Sequence, residues 1–274
     1  MPPDGPPLSA RLAAALALVP RGARLADVGA GHARLALRAV RDGRVPSAVA
    51  IDRSAAALDA AANALAGDGG GPSITLRRGD GLLPLAPGEV DAVVCAGLGA
   101  AAMVGLLAAG RERLTGVVRL VMVPVGAAYP LRIWLRANGW APVVERVVYD
   151  GGRAYEVVAA APGDAEAPYR RALRRPGRAP AELPGAYDDA LMRVGPVAAR
   201  RASTDWLRHW RGEVGRWRAL AADVRGEGPR ADHRRADLSR RAAEVERVVD
   251  AAARYNSPSA PSAASDVAPE ERGR

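Results

Sequence analysis

The sequence contains no phenylalanine, no lysine and a single cysteine, Cys95. One thiol cannot form an internal disulfide, and it cannot build a cysteine cluster for a metal ion. The histidines His32, His209 and His233 are scattered along the chain, so we expect no histidine-rich metal site either. Because Cys95 lies in an apolar run, we expect a buried and unreactive thiol rather than a nucleophile.

Long apolar runs are also missing from the sequence. A membrane-spanning helix needs about 20 consecutive apolar residues, and no run reaches that length. The run from Leu12 to Val19 follows Arg11 as a signal-peptide core would, but it is short and ends at Pro20. We therefore predict a helix there, no association with a membrane, and a cytoplasmic protein.

Acidic residues are outnumbered, with 30 against 39 basic residues and a net charge of +9, and arginine supplies every basic side chain. Such a protein attracts polyanions, of which nucleic acid is the obvious one. The alternative is that arginine has replaced lysine across an ordinary solvated surface, because the Ala-, Gly-, Pro- and Arg-rich composition looks genomic. Charge alone leaves both interpretations open.

The most informative stretch runs from Arg24 to Ala33, where an apolar run ends in Asp27 and is followed by Gly29 and Gly31. An Ala-, Leu- and Arg-rich segment comes next. This order predicts a strand, a tight turn and a helix, which is where open α/β sheets bind nucleotide-like ligands. The glycine pair alone could equally form a tight turn without a ligand.

The same pattern recurs where three further strand-like runs end. Ile51 and Asp52 end the second run, Asp80 and Gly81 follow the third, and Gly97 follows the fourth. The carboxyl ends of parallel strands meet at one edge of a sheet, so these residues are expected to share a site. The recurrence favours a ligand site over an empty turn.

Short motifs follow one another along nearly the whole chain: Leu8-Ser9-x-Arg11-Leu12, Val19-Pro20-x-Gly22-Ala23, Ala26-Asp27-Val28-Gly29, His32-Ala33, Gly79-Asp80-Gly81-Leu82, Ala96-Gly97, Leu114-Thr115-Gly116, Arg132-x-Trp134-Leu135, Tyr155-Glu156-Val157 and Val194-Gly195-Pro196. In this order they resemble the bacterial tRNA adenine-N1 methyltransferases that act at position 22. That family consists of class I enzymes that use S-adenosylmethionine (SAM). The resemblance implies SAM as the cofactor, tRNA as the substrate and an α/β fold, namely a Rossmann-like sheet of seven strands that ends in a hairpin.

In such an enzyme the cofactor needs three kinds of contact. Gly29 and Gly31 could leave backbone amides open for the carboxypropyl end of SAM. Asp27 could accept its ammonium group, although it could also only cap the glycine turn. Asp52 is placed to bind the ribose. The predicted cofactor set is completed by the residues expected around the adenine and at the fourth strand: Ile51, Asp80, Gly81 and Gly97.

The sequence departs from the family pattern in the substrate half of the site. The family has an Asp before the motif histidine, where this chain has Gly31. A Gln-Pro-Asn after the fifth strand reads Val123-Pro124-Val125, and a Gly-Gly reads Gly99-Ala100. His32 or Tyr129 then becomes the candidate that orients the base, unless the substrate differs or catalysis is lost. His32 could equally pack in the turn.

The composition divides the chain into five parts. Residues 8–162 alternate β-like and helical runs and form the SAM-binding methyltransferase domain. Residues 163–197 are rich in Pro and Arg and are predicted to be a linker. Residues 198–255 are predicted to form an antiparallel coiled-coil hairpin. The ends, 1–7 and 256–274, are predicted to be disordered.

The hairpin prediction rests on apolar residues that step by three and four on either side of a Gly- and Pro-containing turn. These are Leu207, Trp210, Val214, Trp217, Ala221 and Val224, then Leu238, Ala242, Val245, Val249 and Ala252. We expect them to form a self-contained core. The outer faces carry arginines that either contact RNA or keep the helices soluble: Arg208, Arg211, Arg216, Arg218, Arg234, Arg235, Arg240 and Arg241.

Three classes of function remain open at this point. The first is a SAM-dependent tRNA methyltransferase, acting as a monomer without a metal. The second is a noncatalytic relative that binds SAM or RNA. The third is a small-molecule methyltransferase or a Rossmann oxidoreductase, but Ala33-Arg34 breaks the glycine pattern of the latter and a basic hairpin suits a small substrate poorly.

Overall fold

The computed structural model describes residues 7–66, 73–172 and 187–256. Seven strands form one sheet in the order β3-β2-β1-β4-β5-β7-β6. They are β1 (Leu25–Val28), β2 (Ala48–Asp52), β3 (Ile74–Arg78), β4 (Ala92–Gly99), β5 (Arg119–Val125), β6 (Trp140–Asp150) and β7 (Arg153–Pro162). The first five are parallel, while β7 runs antiparallel to both β5 and β6. The predicted sheet with a terminal hairpin is therefore confirmed.

Helices cover both faces of the sheet and continue beyond it. They are α1 (Ala10–Leu16), α2 (Arg34–Arg41), α3 (Ala55–Ala66), α4 (Ala100–Ala109), α5 (Tyr129–Ala137), α6 (Ala167–Arg171), α7 (Tyr187–Val194), α8 (Pro196–Arg201), α9 (Thr204–Ala222) and α10 (Pro229–Tyr255). Within the described ranges, no helix is both long and apolar enough to cross a membrane.

Alternate residues of β1 pack into two different hydrophobic cores. Leu25 packs with Leu16 and Leu35 from α1 and α2, whereas Ala26 packs with Met103 and Leu131 from α4 and α5. All four residues of β1 are buried, as expected for a central parallel strand with helices on both faces. This sandwich leaves only the edges of the sheet open to a ligand.

The predicted linker, 163–197, is wrong in part. It contains α6, α7 and the start of α8, while residues 173–186 lie outside the described residues. Tyr169, Leu191 and Val194 are buried in one apolar cluster with Val147 of β6. The segment is rich in Pro and Arg, so its few apolar side chains gave no sign of a core. They are buried only because they pack against residues that are distant in sequence. The predicted disordered ends also lie almost entirely outside the described ranges.

The helical hairpin is present, with α9 and α10 packed against each other on either side of residues 223–228. Most of the predicted stripe is buried, and two further buried residues, Trp206 and Val248, were not predicted. The expectation of a self-contained core is wrong. The base of the hairpin shares its apolar cluster with α7, α8 and β6, and Trp206 Nε1 donates a hydrogen bond to the carbonyl of Val194 at 2.8 Å.

Candidate active site

A cavity of about 390 Å³ opens at the carboxyl edge of the sheet, beside α4. Its lining includes five of the predicted residues, Gly29, Ile51, Asp52, Asp80 and Gly81. In the sheet, β2 and β3 lie on one side of β1, whereas β4 and β5 lie on its other side. The cavity therefore lies next to the point where the strand order reverses, which is where open α/β sheets bind their ligands.

Apolar side chains form much of the remaining wall, among them Leu83, Leu98 and Leu106. Leu98 approaches the glycine turn so closely that a Cβ at Gly29 would lie 3.5 Å from its Cδ1. At Gly81, where φ is +56°, a Cβ would lie only 2.7 Å from the Cβ of Leu106. Glycine at this position is therefore required by its positive φ and by the close packing of α4.

Asp52 is held in place by the backbone around it. Its Oδ2 accepts a hydrogen bond from the amide of Gly31 at 2.9 Å, and its Oδ1 accepts one from the amide of Ser54 at 2.9 Å. A carboxylate has about four acceptor positions, so each oxygen can still accept from a ligand hydroxyl. This arrangement suits a carboxylate that binds a ribose diol at the end of β2.

The structure corrects one sequence expectation, namely that the glycine turn leaves its amides open. The amides of Gly29 and Ala30 donate to the carbonyl of Ile51 at 2.9 and 3.1 Å, and the amide of Gly31 is bound by Asp52. The parallel register of β1 and β2 brings the turn against the end of β2 and supplies these partners. The turn therefore shapes the cavity through its backbone path.

Asp27 and Cys95 lie inside the sheet rather than in the cavity wall. Asp27 is 4% exposed and accepts a hydrogen bond from the amide of Ala36 at 3.3 Å. Burial raises the pKa of Asp27 to about 7. Burial, together with the charge of Asp27, raises the pKa of Cys95 to about 12, which agrees with the unreactive thiol expected from the sequence.

Neither of the two predicted catalytic residues lines the cavity. His32 is exposed in the glycine turn and makes no hydrogen bond to any part of the chain that the structure describes. Tyr129 begins α5 and does not line the cavity. Its hydroxyl donates to Asp189 of α7, which raises the pKa of Tyr129, and the guanidinium of Arg193 lies 4.2 Å from the centre of its ring. The structure thus places Tyr129 in a contact with the C-terminal helices.

The substrate half of the site is bare of polar side chains at the positions where the family pattern has them. Val125 ends β5 with 47% of its surface exposed, and it is paired in the sheet with Gly99 of β4. A Cβ at Gly31 or at Gly97 would meet nothing within 4 Å. Neither glycine is in the cavity lining, so both are predicted cofactor residues that the structure places beside the cavity rather than in its wall.

Sequence reasoning assigned no role to three of the four buried charged residues in the described ranges, Arg132, Glu145 and Glu156. Arg132 and Glu156 belong to motifs that carried the family resemblance. A charged residue within an otherwise apolar strand or helix was the available signal, because such a residue is rarely buried without a partner.

The strand order, the antiparallel β7 and the cavity beside Asp52 define a Rossmann-like methyltransferase. A family model described as a methyltransferase domain matches residues 8–158. The tRNA (adenine(22)-N(1))-methyltransferase of Bacillus subtilis (strain 168) is 32% identical over 207 residues, which are 76% of this chain and 81% of that protein. This chain belongs to the tRNA (adenine(22)-N1)-methyltransferase family.

Solved structures agree with this assignment. The B. subtilis M1A22 tRNA methyltransferase TrmK superposes with a TM-score of 0.79 at 28% identity, covering 89% of this chain and 99% of that one. Two others show the shared fold only: Streptococcus pneumoniae Sp1610 in complex with S-adenosyl-L-methionine, with TM-score 0.71, 23% identity and 87% and 98% coverage, and M. capricolum TrmK in complex with S-adenosyl-homocysteine, with TM-score 0.70, 15% identity and 89% and 98% coverage.

Proposed function

We propose that this protein transfers a methyl group from SAM to N1 of an adenine in tRNA, at position 22 as in its family. The observation that carries the proposal is the cavity at the carboxyl edge, with Asp52 held ready by two backbone amides, in a chain 32% identical to the B. subtilis enzyme. The direct test incubates the purified protein with labelled SAM and bulk unmodified tRNA and then maps the methylated base.

The residues around the cavity fit SAM. Asp52 would hold the ribose, Asp80 would accept from the edge of the adenine, and Ile51, Leu98 and Leu106 would form its apolar walls. When bound, SAM supplies a methyl group on a positively charged sulfur, which is the electrophile in methyl transfer.

In this proposal Asp27 favours binding of the ammonium group at the amino-acid end of SAM. It lies two residues before Gly29, below the turn that borders the cavity. Its raised pKa of about 7 reflects burial away from water. A ligand ammonium placed nearby would favour the charged form of this carboxyl, so that cofactor binding and ionisation of Asp27 support each other.

Replacing Asp52 tests the cofactor site. Asp52→Ala is expected to weaken SAM binding by about 1–3 kcal/mol, because the ribose hydroxyls lose a charged acceptor. Calorimetry measures the change. Asp59→Ala removes an exposed acid from α3 outside the cavity lining and serves as the matched control. Unchanged SAM affinity in a folded Asp52→Ala protein would rule out the ribose role.

Methyl transfer also requires a group that orients the adenine, because in-line displacement depends on positioning. Of the two predicted catalytic residues, His32 is the better placed. Its exposed ring lies in the turn beside the cavity, whereas the Tyr129 hydroxyl is already bound to Asp189. We assign Tyr129 to the contact between α5 and α7 and keep His32 as the base-orienting candidate.

The helical hairpin is the proposed RNA contact. At about 1.5 Å per residue, the 19 residues of α9 and the 27 of α10 form arms of roughly 28 and 40 Å. Several of the arginines predicted to face RNA instead pair with acids on the hairpin itself: Arg216, Arg218, Arg235, Arg240 and Arg241. Arg211 and Arg234 are exposed and form no ion pair with the residues described, so they remain available for phosphates.

Removing those two charges tests the hairpin without cutting into its shared core. Arg211→Ala with Arg234→Ala is expected to weaken tRNA binding and to flatten its salt dependence, by nearly one unit of slope for each phosphate that the protein no longer binds. SAM affinity should not change. Affinities are measured by filter binding across a salt series.

The matched control for this prediction is Arg21→Ala with Arg111→Ala. It removes the same charge from two exposed positions, Arg21 in the loop before β1 and Arg111 in the short 3-10 helix before β5, at the opposite edge of the sheet. An equal decrease in affinity and in salt slope in both double variants would mean that net charge, and not the hairpin, attracts the RNA.

One observation favours a second function, a noncatalytic relative that binds SAM or RNA. Val125 and Gly31 leave the substrate half without the polar side chains of the family. The labelled-SAM assay separates the two functions, since a noncatalytic relative binds SAM and tRNA without methylating any base. Cytoplasmic location and a monomeric state stay predictions.

A further inference from the structure

Glu156 of β7 is a buried carboxylate, 4% exposed, whose two oxygens face different partners. Its Oε1 accepts a hydrogen bond from the backbone amide of Ala128 at 2.8 Å. Ala128 is the last residue before α5, and residues 126–128 join the exposed end of β5 at Val125 to that helix. Glu156 therefore holds the far end of the loop that borders the substrate half of the site.

Arg132 of α5, 1% exposed, holds Glu156 in turn. One terminal nitrogen of its guanidinium donates to Glu156 Oε2 at 2.6 Å, and its Nε donates to Glu145 Oε1 at 2.6 Å. The other terminal nitrogen donates to the carbonyl of Arg193 at 2.8 Å. The planar guanidinium presents separate nitrogens in fixed directions to two carboxylates and a carbonyl, an arrangement that the single nitrogen of a lysine does not reproduce.

Glu145 of β6 continues these contacts to the C-terminal helices. Its Oε2 accepts hydrogen bonds from the amides of Val197 and Ala198 in α8, at 2.8 and 3.3 Å. Because α8 leads directly into α9, an unbroken series of bonds joins the base of the hairpin to the amide of Ala128. It passes through Glu145, Arg132 and Glu156, which we call the buried triad.

Gly195 brings the turn between α7 and α8 directly onto the buried triad. Its φ is +83°, and a Cβ there would lie 2.7 Å from a terminal nitrogen of Arg132 and 2.8 Å from each carboxylate oxygen of Glu145. Glycine alone meets both requirements. The position of this turn and the position of the guanidinium are therefore fixed by each other.

Stability alone does not explain the buried triad. Burying charges requires removing them from water, and apolar side chains of similar volume are often at least as stabilising. What the triad adds is positional order, since each of its hydrogen bonds fixes the position of one atom. At one end it fixes the loop after Val125, and at the other end it fixes the base of the helix pair that is proposed to contact RNA.

We propose that the buried triad consists of positioning residues that hold the loop 126–128 in register with the helical hairpin. RNA that is bound to the hairpin is then aligned with this loop, which forms the wall against which the target base rests. This inference rests on the proposed function, because the loop has a substrate to position only if the protein methylates RNA.

The test compares two arginines on α5. Arg132→Lys keeps the charge but breaks the series, since a single nitrogen replaces the separate nitrogens that bind Glu145 and Glu156. Arg136→Lys is the matched control. Arg136 also ties α5 to later helices, through Glu166 and Asp188 at 2.6 Å each, but it does not touch Glu156 or Ala128. Arg132→Lys is expected to lower kcat at least tenfold with less than a twofold change in the Kd values for SAM and tRNA, while Arg136→Lys retains the kcat of the unaltered protein.

A second measurement does not depend on activity. Hydrogen exchange of the Ala128 amide, followed by NMR, should accelerate at least tenfold in Arg132→Lys and in Gly195→Ala, and not in Arg136→Lys. If Arg132→Lys does not fold, Glu156→Leu takes its place in both measurements, because it removes the acceptor of the Ala128 amide while Arg132 keeps its bond to Glu145.

The outcomes separate the two proposals. If the unaltered protein methylates no RNA, the proposed function fails, and unchanged Ala128 exchange in the variants would also overturn the positioning role. If the protein is active and Arg132→Lys keeps the kcat of the unaltered protein, the buried triad has only a structural role. The same conclusion follows if kcat decreases as much in Arg136→Lys as in Arg132→Lys. A selective decrease in kcat with faster Ala128 exchange supports the inference.

Discussion

Gly31→Asp combined with Val125→Asn is expected to raise the rate of tRNA methylation by about a hundredfold. A base donor or acceptor left without a partner costs about 1–3 kcal/mol, and two such groups amount to roughly a hundredfold at tenfold per 1.4 kcal/mol. The structure has room for both changes. A Cβ at Gly31 meets nothing within 4 Å, and Val125 is 47% exposed. The φ of +54° at Gly31 lies in the region that Asp tolerates better than most residues.

Single-turnover methylation measures this gain, and calorimetry should show unchanged SAM affinity. The matched control, Gly22→Asp with Val118→Asn, makes the same two changes at another positive-φ glycine and another exposed valine, away from the cavity. If the unaltered protein already methylates adenine as fast as such enzymes usually do, the premise is wrong. His32 is then the first residue to test as the one that orients the base.

The cavity at the carboxyl edge of the sheet could be predicted because its signals are local. Asp52 follows directly on an apolar run, Asp80 follows two residues after the strand-like run that ends at Arg78, and the carboxyl ends of parallel strands must meet at one edge. Predicted residues at the ends of β1, β2 and β3 therefore line one cavity, whereas Gly97 at the fourth strand end lies outside its lining. The same local reasoning could not predict that the carbonyl of Ile51 would accept hydrogen bonds from the amides of Gly29 and Ala30, since this depends on the register between two strands.

The C-terminal contacts could not be predicted for a related reason. Arg132 bonds to Glu145, Glu156 and the carbonyl of Arg193, which are 13, 24 and 61 residues away. No periodic pattern encodes such pairs, whereas the heptad steps of α9 and α10 are visible in the sequence. The hairpin was found for this reason, whereas α6, α7 and the start of α8, which pack against its base, were mistaken for a linker.

Arg132→Met is expected to lower the free energy of unfolding by about 3–5 kcal/mol, the usual result of removing one partner from a buried ion pair. Glu145 and Glu156, 2% and 4% exposed, would be left without their cation. For a chain of this size each kcal/mol shifts the melting temperature by roughly 2–4 °C, so a decrease of about 10 °C is expected. Thermal melting followed by circular dichroism measures it.

Two controls show whether the uncompensated carboxylates cause that decrease. Arg136→Met removes a partly exposed arginine from the same helix and should cost no more than about 1 kcal/mol, as surface ion pairs do. Adding Glu145→Gln and Glu156→Gln to Arg132→Met should restore much of the melting temperature. The neutral amide oxygens can still accept from Ala128, Val197 and Ala198, while the unpaired charges are gone. If the triple variant melts no higher than Arg132→Met alone, the decrease comes from packing around the missing guanidinium and not from buried charge.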